Sequence, residues 1–290
     1  MHQSLHIYYI DYHHYLKHIK YNSLQHMAFK PQISIITVCF NSEKFIEETI
    51  NSVLSQDYEN LQYIIIDGGS NDKTMDIVQK YKSQISTIVS EPDKGISDAF
   101  NKGIRYAEGD LIGIVNSDDI LLPNALKKLA ENYEQGKYDI YRGNLIIWNS
   151  KSGNKYKEIP SMSFSTTPVF ISVAHESSFV TSEAYKKYGL YDINLHYTMD
   201  LDFFIRAYKK GAIFKQINED FTMFRIGGAT SSSMWKKRKD YIKMSKNNNA
   251  SSLHAYSFYT VLLLIDICKR ILDMVNPDLK RKIRLGRNKK

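Results

Sequence analysis

The sequence predicts an α/β domain: a parallel sheet with helices on both faces. From Ile33 onward, short β-rich apolar runs alternate with segments of helical periodicity. The runs end in short polar or glycine-bearing loops, as strands do where a ligand-binding edge forms. A third observation sets the scale: 290 residues, 43% hydrophobic and 24% charged, suffice for one large domain or a domain with an appendage. The same composition excludes a disordered, collagen-like or multi-span membrane chain.

Residues 33–39 read as a buried strand. Residues 43–55 carry Phe45, Ile46, Ile50, Val53 and Leu54 at helical spacing, with Ser42 as a candidate cap. A strand over 61–66 runs into Asp67-Gly68-Gly69-Ser70; a helix over 72–81 and a strand over 85–89 follow. Ile96, Phe100, Ile104 and Ala107 mark one side of the next helix, and 111–115 is a fourth strand ending in Asn116-Ser117-Asp118-Asp119. Pro123 suits the first turn of the helix after it. Residues 140–148 are strand-like, and 149–157 read as a loop.

In such sheets ligands bind beyond the carboxyl ends of the strands, which here are residues 37–41, 67–72, 91–95 and 116–119. Their carboxylates can accept from a base imide or a ribose hydroxyl, and Gly68 and Gly69 let a ligand approach the backbone. Asp118 and Asp119 fit Mg²⁺ or Mn²⁺ shared with a diphosphate, since both ions prefer hard oxygen ligands. The same pair also fits plain capping of the helix ahead of Pro123. Neither GxxxxGK[ST] nor a GxGxxG after the first strand is present, which disfavours a P-loop NTPase and a typical dinucleotide dehydrogenase.

In the second half, His175-Glu176 lies in the run Ala174 to Phe179, and Asp200 and Asp202 open a helical segment ending in Arg206. At i and i+2 the two acids cannot share a helix face. One reading turns one acid to a cleft while the other caps or pairs with Arg206; the other makes both first-turn acids favoured by the helix dipole. Residues 224–233 are small and Gly/Ser-rich, fitting either a loop that closes over a ligand or a linker.

At these residues the chain resembles the family-2 glycosyltransferases of the GT-A fold. The likeness lies in the runs from Ile33 to Asn41, Ser52 to Gln56, Ile66 to Asp72 and Glu91 to Gly103, then Gly109 to Gly113 and Asn116 to Asp119. It covers roughly residues 31–230. The resemblance implies the GT-A nucleotide-diphospho-sugar transferase fold, a Rossmann-like mixed sheet with helices on both faces. It places Thr37, Asn41, Asp67 and Asp98 near the nucleotide of a nucleotide-diphosphate sugar, UDP favoured. It makes Asp118 the last acid of a D-x-D metal motif, helped by Asp119, with Asn116 replacing the first acid. It aligns Asp200 with the general base and puts His175 and Glu176 on the acceptor side. The reaction expected is an inverting single displacement in bacterial surface-polysaccharide assembly, of the O-antigen or capsule type, with a lipid-linked saccharide as acceptor. One base suffices for it, unlike hydrolases that need two carboxylates.

Charge is unevenly spread. Residues 236–290 hold 15 bases and 4 acids, whereas 1–235 hold 24 and 27. Phe258, Val261, Leu262, Ile265, Cys268, Ile271, Leu272 and Val275 recur at helical spacing ahead of a Lys/Arg cluster over 280–290. This predicts an amphipathic helical tail suited to an anionic membrane surface, or one packed on the catalytic domain. No nucleic-acid motif accompanies the cluster, and no nucleic-acid partner is expected.

The expected organisation is a His/Tyr-rich extension over 1–30, a catalytic domain over 31–235 divided near 120 into donor and acceptor halves, and the tail over 236–290. Met27 would make a natural start for the catalytic domain. No metal site is expected in the extension, because His13 and His14 are adjacent and no Cys or carboxylate cluster joins them. Cys39 and Cys268 lie far apart and outside any CxxC pair, and no secretory signal pattern is visible, so a cytoplasmic setting, peripheral on the inner membrane face, is expected. The rival readings are a sugar-nucleotide pyrophosphorylase or other nucleotidyltransferase, and a non-enzymatic basic membrane- or nucleic-acid-binding protein. The pyrophosphorylases open with a Gly-rich, Arg-bearing loop after the first strand, and residues 38–42 contain no glycine.

Overall fold

The structure, a computed structural model, describes residues 30–150, 152–159, 164–166, 169–171, 174–226 and 234–275. The His/Tyr-rich stretch before residue 30, most of the Gly/Ser-rich segment and the basic cluster over 280–290 lie outside the described residues.

The first half is a set of β–α units. Strands β1 (Ile33–Cys39), β2 (Leu61–Asp67), β3 (Thr87–Ser90) and β4 (Leu111–Ile114) alternate with helices α1 (Ile46–Leu54), α2 (Thr74–Lys80) and α3 (Ile96–Tyr106). The four strands pair in parallel in the order β3-β2-β1-β4, so their carboxyl ends share one edge. Strand β1 shows why the chain folds this way. Its side chains alternate between faces, with Ile36 and Val38 entering one core and Ile35 and Cys39 the other. Helix α3 seats Ala99, Phe100 and Ile104 on the first face, while Ile46, Ile50 and Val53 of α1 cover the second. Gly103 permits the close approach of α3, since a Cβ there would lie 2.4 Å from Ile36 Cγ2.

The second half makes the sheet mixed. After the short β5 (Ile120–Leu121) and α4 (Ala125–Glu131), β6 (Ile140–Trp148) forms a hairpin with β7 (Lys155–Glu158), so part of the stretch expected as a loop is a strand. A second hairpin joins β8 (Phe164–Thr166) to β9 (Val169–Ile171). Strand β10 (Ser178–Thr181) then lies antiparallel between β4 and β6, and β11 (Phe214–Arg225) runs parallel to β6 and antiparallel to β5. This orientation brings the ends of β6 and β11 and the start of β10 to the same edge as the ends of β1–β4.

Helices α5 (Ser182–Tyr188), α6 (Met199–Lys209), α7 (Met234–Asn247) and α8 (Ser252–Val275) complete the described chain. Helix α7 is bound into the domain. Met244 is fully buried in the core shared by β1, α3 and α6, and Asp240 Oδ2 accepts from the backbone N–H groups of His196 and Tyr197 at 2.6 and 2.7 Å. The boundary expected at residue 235 therefore falls just inside a helix that packs on the catalytic body. Helix α8 buries Ala255 and Tyr259 but exposes Leu253, Val261, Leu264, Ile265 and Ile271.

Candidate active site

Two clusters occupy the shared edge. The first is built by the loops after β1, β2 and β3. Asp67, at the end of β2, is fully buried. Its Oδ2 accepts from the N–H groups of Gly69 and Ser70 and from Ser90 Oγ, and its Oδ1 accepts from Ser70 Oγ. Asp67 thus shapes the loop that carries Gly68. Asn41, in the left-handed region at φ 50°, braces that loop from β1: its N–H donates to Ser70 Oγ and its Oδ1 accepts from Asn71 N–H. Thr37 is buried within β1 and shares a 3.0 Å hydrogen bond with Tyr63. Asp98 Oδ2 accepts from Lys94 N–H at the start of α3.

The sequence reading did not single out two residues of this cluster. Phe40 stands 60% exposed at the end of β1, and the Asp93 carboxylate lies against Gly68, whose added Cβ would sit 2.5 Å from Asp93 Oδ2 and 3.5 Å from the Phe40 ring. Gly68, Phe40 and Asp93 therefore line one shallow surface at the strand ends. The sequence carries no local mark of this, since Phe40 and Gly68 meet only through the pairing of β1 with β2.

The second cluster begins at residues 116–119. Ser42, expected as a cap, instead shares a 2.8 Å hydrogen bond with Ser117 Oγ, while its carbonyl accepts from Phe45 and Ile46 N–H. Asp119 is fully buried: Oδ1 accepts from Arg225 N–H at 3.1 Å and Oδ2 from Asn116 Nδ2 at 3.0 Å. Both of its oxygens thus hold the loop together. Asp118 is half-buried; burial raises its proton affinity, opposed by its own backbone N–H and by the Arg225 charge. Arg225 also donates through Nε to the Asp118 carbonyl.

A 3₁₀ turn at His175–Ser177 brings the second half to this loop. His175 Nε2 faces Asn116 Nδ2 at 3.3 Å, while Nδ1 lies 3.3 Å from Asp200 Oδ2 and 3.5 Å from Glu176 Oε2. The two acids of α6 have different surroundings. Asp202 is buried, its Oδ2 2.8 Å from Arg206 Nε and its Oδ1 accepting from Asn248 Nδ2 at 2.9 Å. The Asp200 side chain keeps 26% exposure. Both acids lie in the first turn of α6, where the helix dipole favours them, and Asp202 also pairs with Arg206 while Asp200 stays partly exposed.

The acids around His175 form a coupled group. Burial pulls the imidazole down, but Glu176, Asp200 and Asp119 outweigh it and raise its proton affinity. Burial also raises Glu176, opposed by His175, and holds Asp119 well above the usual carboxylate range, reinforced by Glu176 and Asp118. Lys237 and Tyr241 of α7 lie within electrostatic reach of Asp200. His175 and Glu176 are both under 10% exposed and offer a saccharide little surface.

The structure thus brings Asn116, Asp118, Asp119, His175, Glu176 and Asp200 together. Asp67 and Asp98 stay with the first cluster. Among the described residues, no group of three His, Cys, Asp or Glu is arranged to hold a metal ion. Two hard oxygens suit a divalent cation here: the Asp118 carboxylate and Asn116 Oδ1, a buried atom with no hydrogen-bond partner among the described residues. With so few protein ligands, such an ion would need a diphosphate to complete its shell.

Residues 34–214 match the family described as Glycosyl transferase family 2. An uncharacterized glycosyltransferase of Rickettsia typhi is 27% identical over 198 residues, covering 64% of this chain and 62% of that one. GlyG of Streptococcus pneumoniae is 30% identical over 135 residues, 46% of this chain and 45% of its own. The putative teichuronic acid biosynthesis glycosyltransferase TuaG of Bacillus subtilis is 35% identical over 105 residues, covering 35% and 42%. The chain therefore spans less than two thirds of these relatives. Among solved structures, residues 1–349 of TarS from S. aureus in complex with UDP-GlcNAc superpose with a TM-score of 0.60 at 20% identity, covering 77% of this chain and 69% of that chain. The mannosyltransferase PcManGT of Pyrobaculum calidifontis, in complex with GDP-Man and Mn²⁺, gives 0.58 at 14% identity, covering 90% and 80%. These two likenesses show the fold.

Proposed function

The chain belongs to glycosyl transferase family 2, and on that premise we propose that it moves a sugar from a nucleotide-diphosphate donor to a lipid-linked saccharide with inversion, Asp200 acting as the base. The observation that carries this is the contrast on α6. Asp202 is buried against Arg206 and Asn248, whereas Asp200 is partly exposed at the carboxyl edge of the sheet. A carboxylate so placed can take the proton of an acceptor hydroxyl as that oxygen attacks the anomeric carbon from the face opposite the leaving nucleotide.

The donor lies along the first cluster in this reading. Phe40 offers its ring to the base, and Asp93, with Gly68 beneath it, accepts from base or ribose donors. Thr37 in β1, Asn41 in the loop after it, Asp67 at the end of β2 and Asp98 in the first turn of α3 support this surface from behind. A UDP-sugar is favoured, in keeping with the UDP-GlcNAc complex of TarS. Asp118 would hold Mg²⁺ or Mn²⁺ with Asn116 Oδ1, Asp119 fixing the loop behind them; when bound, the ion stabilises the charge of the departing diphosphate. Glu176 and His175 back the acceptor side through Asp200.

The acceptor's lipid places the enzyme at a membrane, the inner face of the cell membrane in this reading, in surface-polysaccharide assembly. No described helix is long and apolar enough to cross a bilayer. The apolar side chains exposed on α8, followed in sequence by the Lys/Arg cluster over 280–290, suit interfacial attachment. Calorimetric titration with a panel of nucleotide sugars, with and without Mn²⁺, followed by anomeric analysis of the product, tests the proposal. A β-linked product from an α-linked donor is expected; retention would remove the single-displacement mechanism.

A further inference from the structure

We propose that Asn116 and His175 are positioning residues for the base, links in a hydrogen-bond chain Asp119–Asn116–His175–Asp200 that ties the donor-side loop to the acceptor-side carboxylate. The inference rests on the reading of Asp200 as the base and adds how its carboxylate is aimed.

The chain has a fixed end. Asp119 is fully buried, and its Oδ1 is held by the Arg225 N–H. Its Oδ2 accepts from Asn116 Nδ2 at 3.0 Å, which sets the orientation of the amide, because a carboxylate oxygen needs a donor opposite it. The same nitrogen lies 3.3 Å from His175 Nε2. On the other side of the ring Nδ1 lies 3.3 Å from Asp200 Oδ2, where an Nδ1–H donates to the carboxylate. The other Asp200 oxygen accepts from Leu201 N–H at 2.7 Å. Both carboxylate oxygens are then tethered, one to the start of α6 and one to the ring. The ring itself is 8% exposed and rests on Phe100, with centroids 5.8 Å apart.

This gives Asn116 a reason to be an amide. An aspartate at 116 has no N–H to give Asp119 Oδ2, so the 3.0 Å contact that fixes the first link would be lost. The departure from the D-x-D pattern is thus the residue type that the chain requires.

The test uses the full chain and the donor identified by the nucleotide-sugar panel, reading kcat, donor affinity by calorimetry and the thermal midpoint. Asn116→Asp and His175→Ala should each lower kcat by about a hundredfold, the scale of a misaimed catalytic group, and His175→Ala should do so with donor affinity unchanged. The double variant should fall no further than His175→Ala, as links acting in series do. His175→Asn, which keeps an N–H near the Nδ1 position, should recover most of the loss. An Asn116→Asp enzyme as fast as wild type would overturn the proposal; additive losses would overturn it too. Should Asn116→Asp fail to fold, the two His175 variants decide: equal losses refute the chain. Asp200→Asn is the separate control, since transfer surviving it would remove the base reading itself.

Discussion

Arg225 and Glu48 are 177 positions apart in sequence, yet they form an ion pair at 2.5 Å directly behind the 116–119 loop. The guanidinium lies between the rings of Phe45 and Trp148, 4.4 and 4.2 Å from their centroids, while Nε holds the Asp118 carbonyl. One side chain thus joins α1, β6, β11 and the loop that carries Asp118. Replacing it should loosen that loop. Arg225→Ala is expected to cost about 2–3 kcal/mol of stability, through lost charge-assisted hydrogen bonds and lost stacking, and to weaken metal-dependent donor binding. Arg225→Lys keeps the charge but not the planar fork and should recover stability better than donor affinity. Denaturant melts alongside donor calorimetry measure both; an Arg225→Ala protein with wild-type donor affinity would show that the loop stands without it.

The two acids of α6 should fail in different ways. Asp200→Asn is expected to lower kcat by about 10²–10⁴-fold, the usual worth of a general base, with little change in melting. Asp202→Ala leaves Arg206 facing the carbonyls of Tyr188 and Leu190 without its carboxylate and frees Asn248, and is expected to cost about 3 kcal/mol. Side-by-side kcat and urea titrations decide this. A catalytic loss in Asp202→Ala at undiminished stability would reverse the assignment.

Much of this site can be read from the sequence because it lies at strand ends, and strand ends are marked locally by a change of period and by Asp, Asn and Gly. Asp202 with Arg206 is equally local, a spacing of four on a helix. What the sequence hides is long-range. Nothing near Asp67 indicates that Ser90 takes up one of its oxygens, and nothing near Glu48 points to Arg225. Helix α7 misleads for another reason. Its lysines dominate the composition, and the few inward groups, Asp240, Tyr241 and Met244, are too sparse to show a clean apolar stripe. A helix held by one buried methionine and a carboxylate that caps a neighbouring loop reads as a tail.

The coupled acids predict an unusual pH response. Asp119 and Glu176 have proton affinities raised by burial, and that of His175 is raised by its carboxylate neighbours. Each group binds protons more tightly folded than unfolded, so each favours the folded state most below its ordinary range and loses that contribution as pH rises through its raised one. The thermal midpoint should therefore decline from mildly acidic toward alkaline pH. Asp119→Asn keeps the shape and removes the buried charge, and should flatten this slope. Melts from pH 5 to 9 on both proteins test it; parallel curves would place the source elsewhere.

The proposed membrane attachment through α8 can be tested apart from folding, because the side chains concerned are largely free of the core. Val261, Leu264 and Ile265 are 52%, 55% and 44% exposed and share one stripe, whereas Ala255 and Tyr259 on the buried side hold the helix in place. Burying three such side chains in the acyl boundary contributes about 1 kcal/mol or more each, so changing all three to Ser should weaken binding to lipid vesicles by about a hundredfold or more. The Lys/Arg cluster over 280–290 would act through charge, so its contribution should appear only on anionic vesicles and fade as salt shortens the screening length. Co-sedimentation of wild type, the triple Ser variant and a chain ending at residue 279 with anionic and neutral vesicles resolves the two parts. Undiminished sedimentation of the triple variant, with its melting unchanged, would remove α8 as the apolar anchor and leave attachment to charge alone.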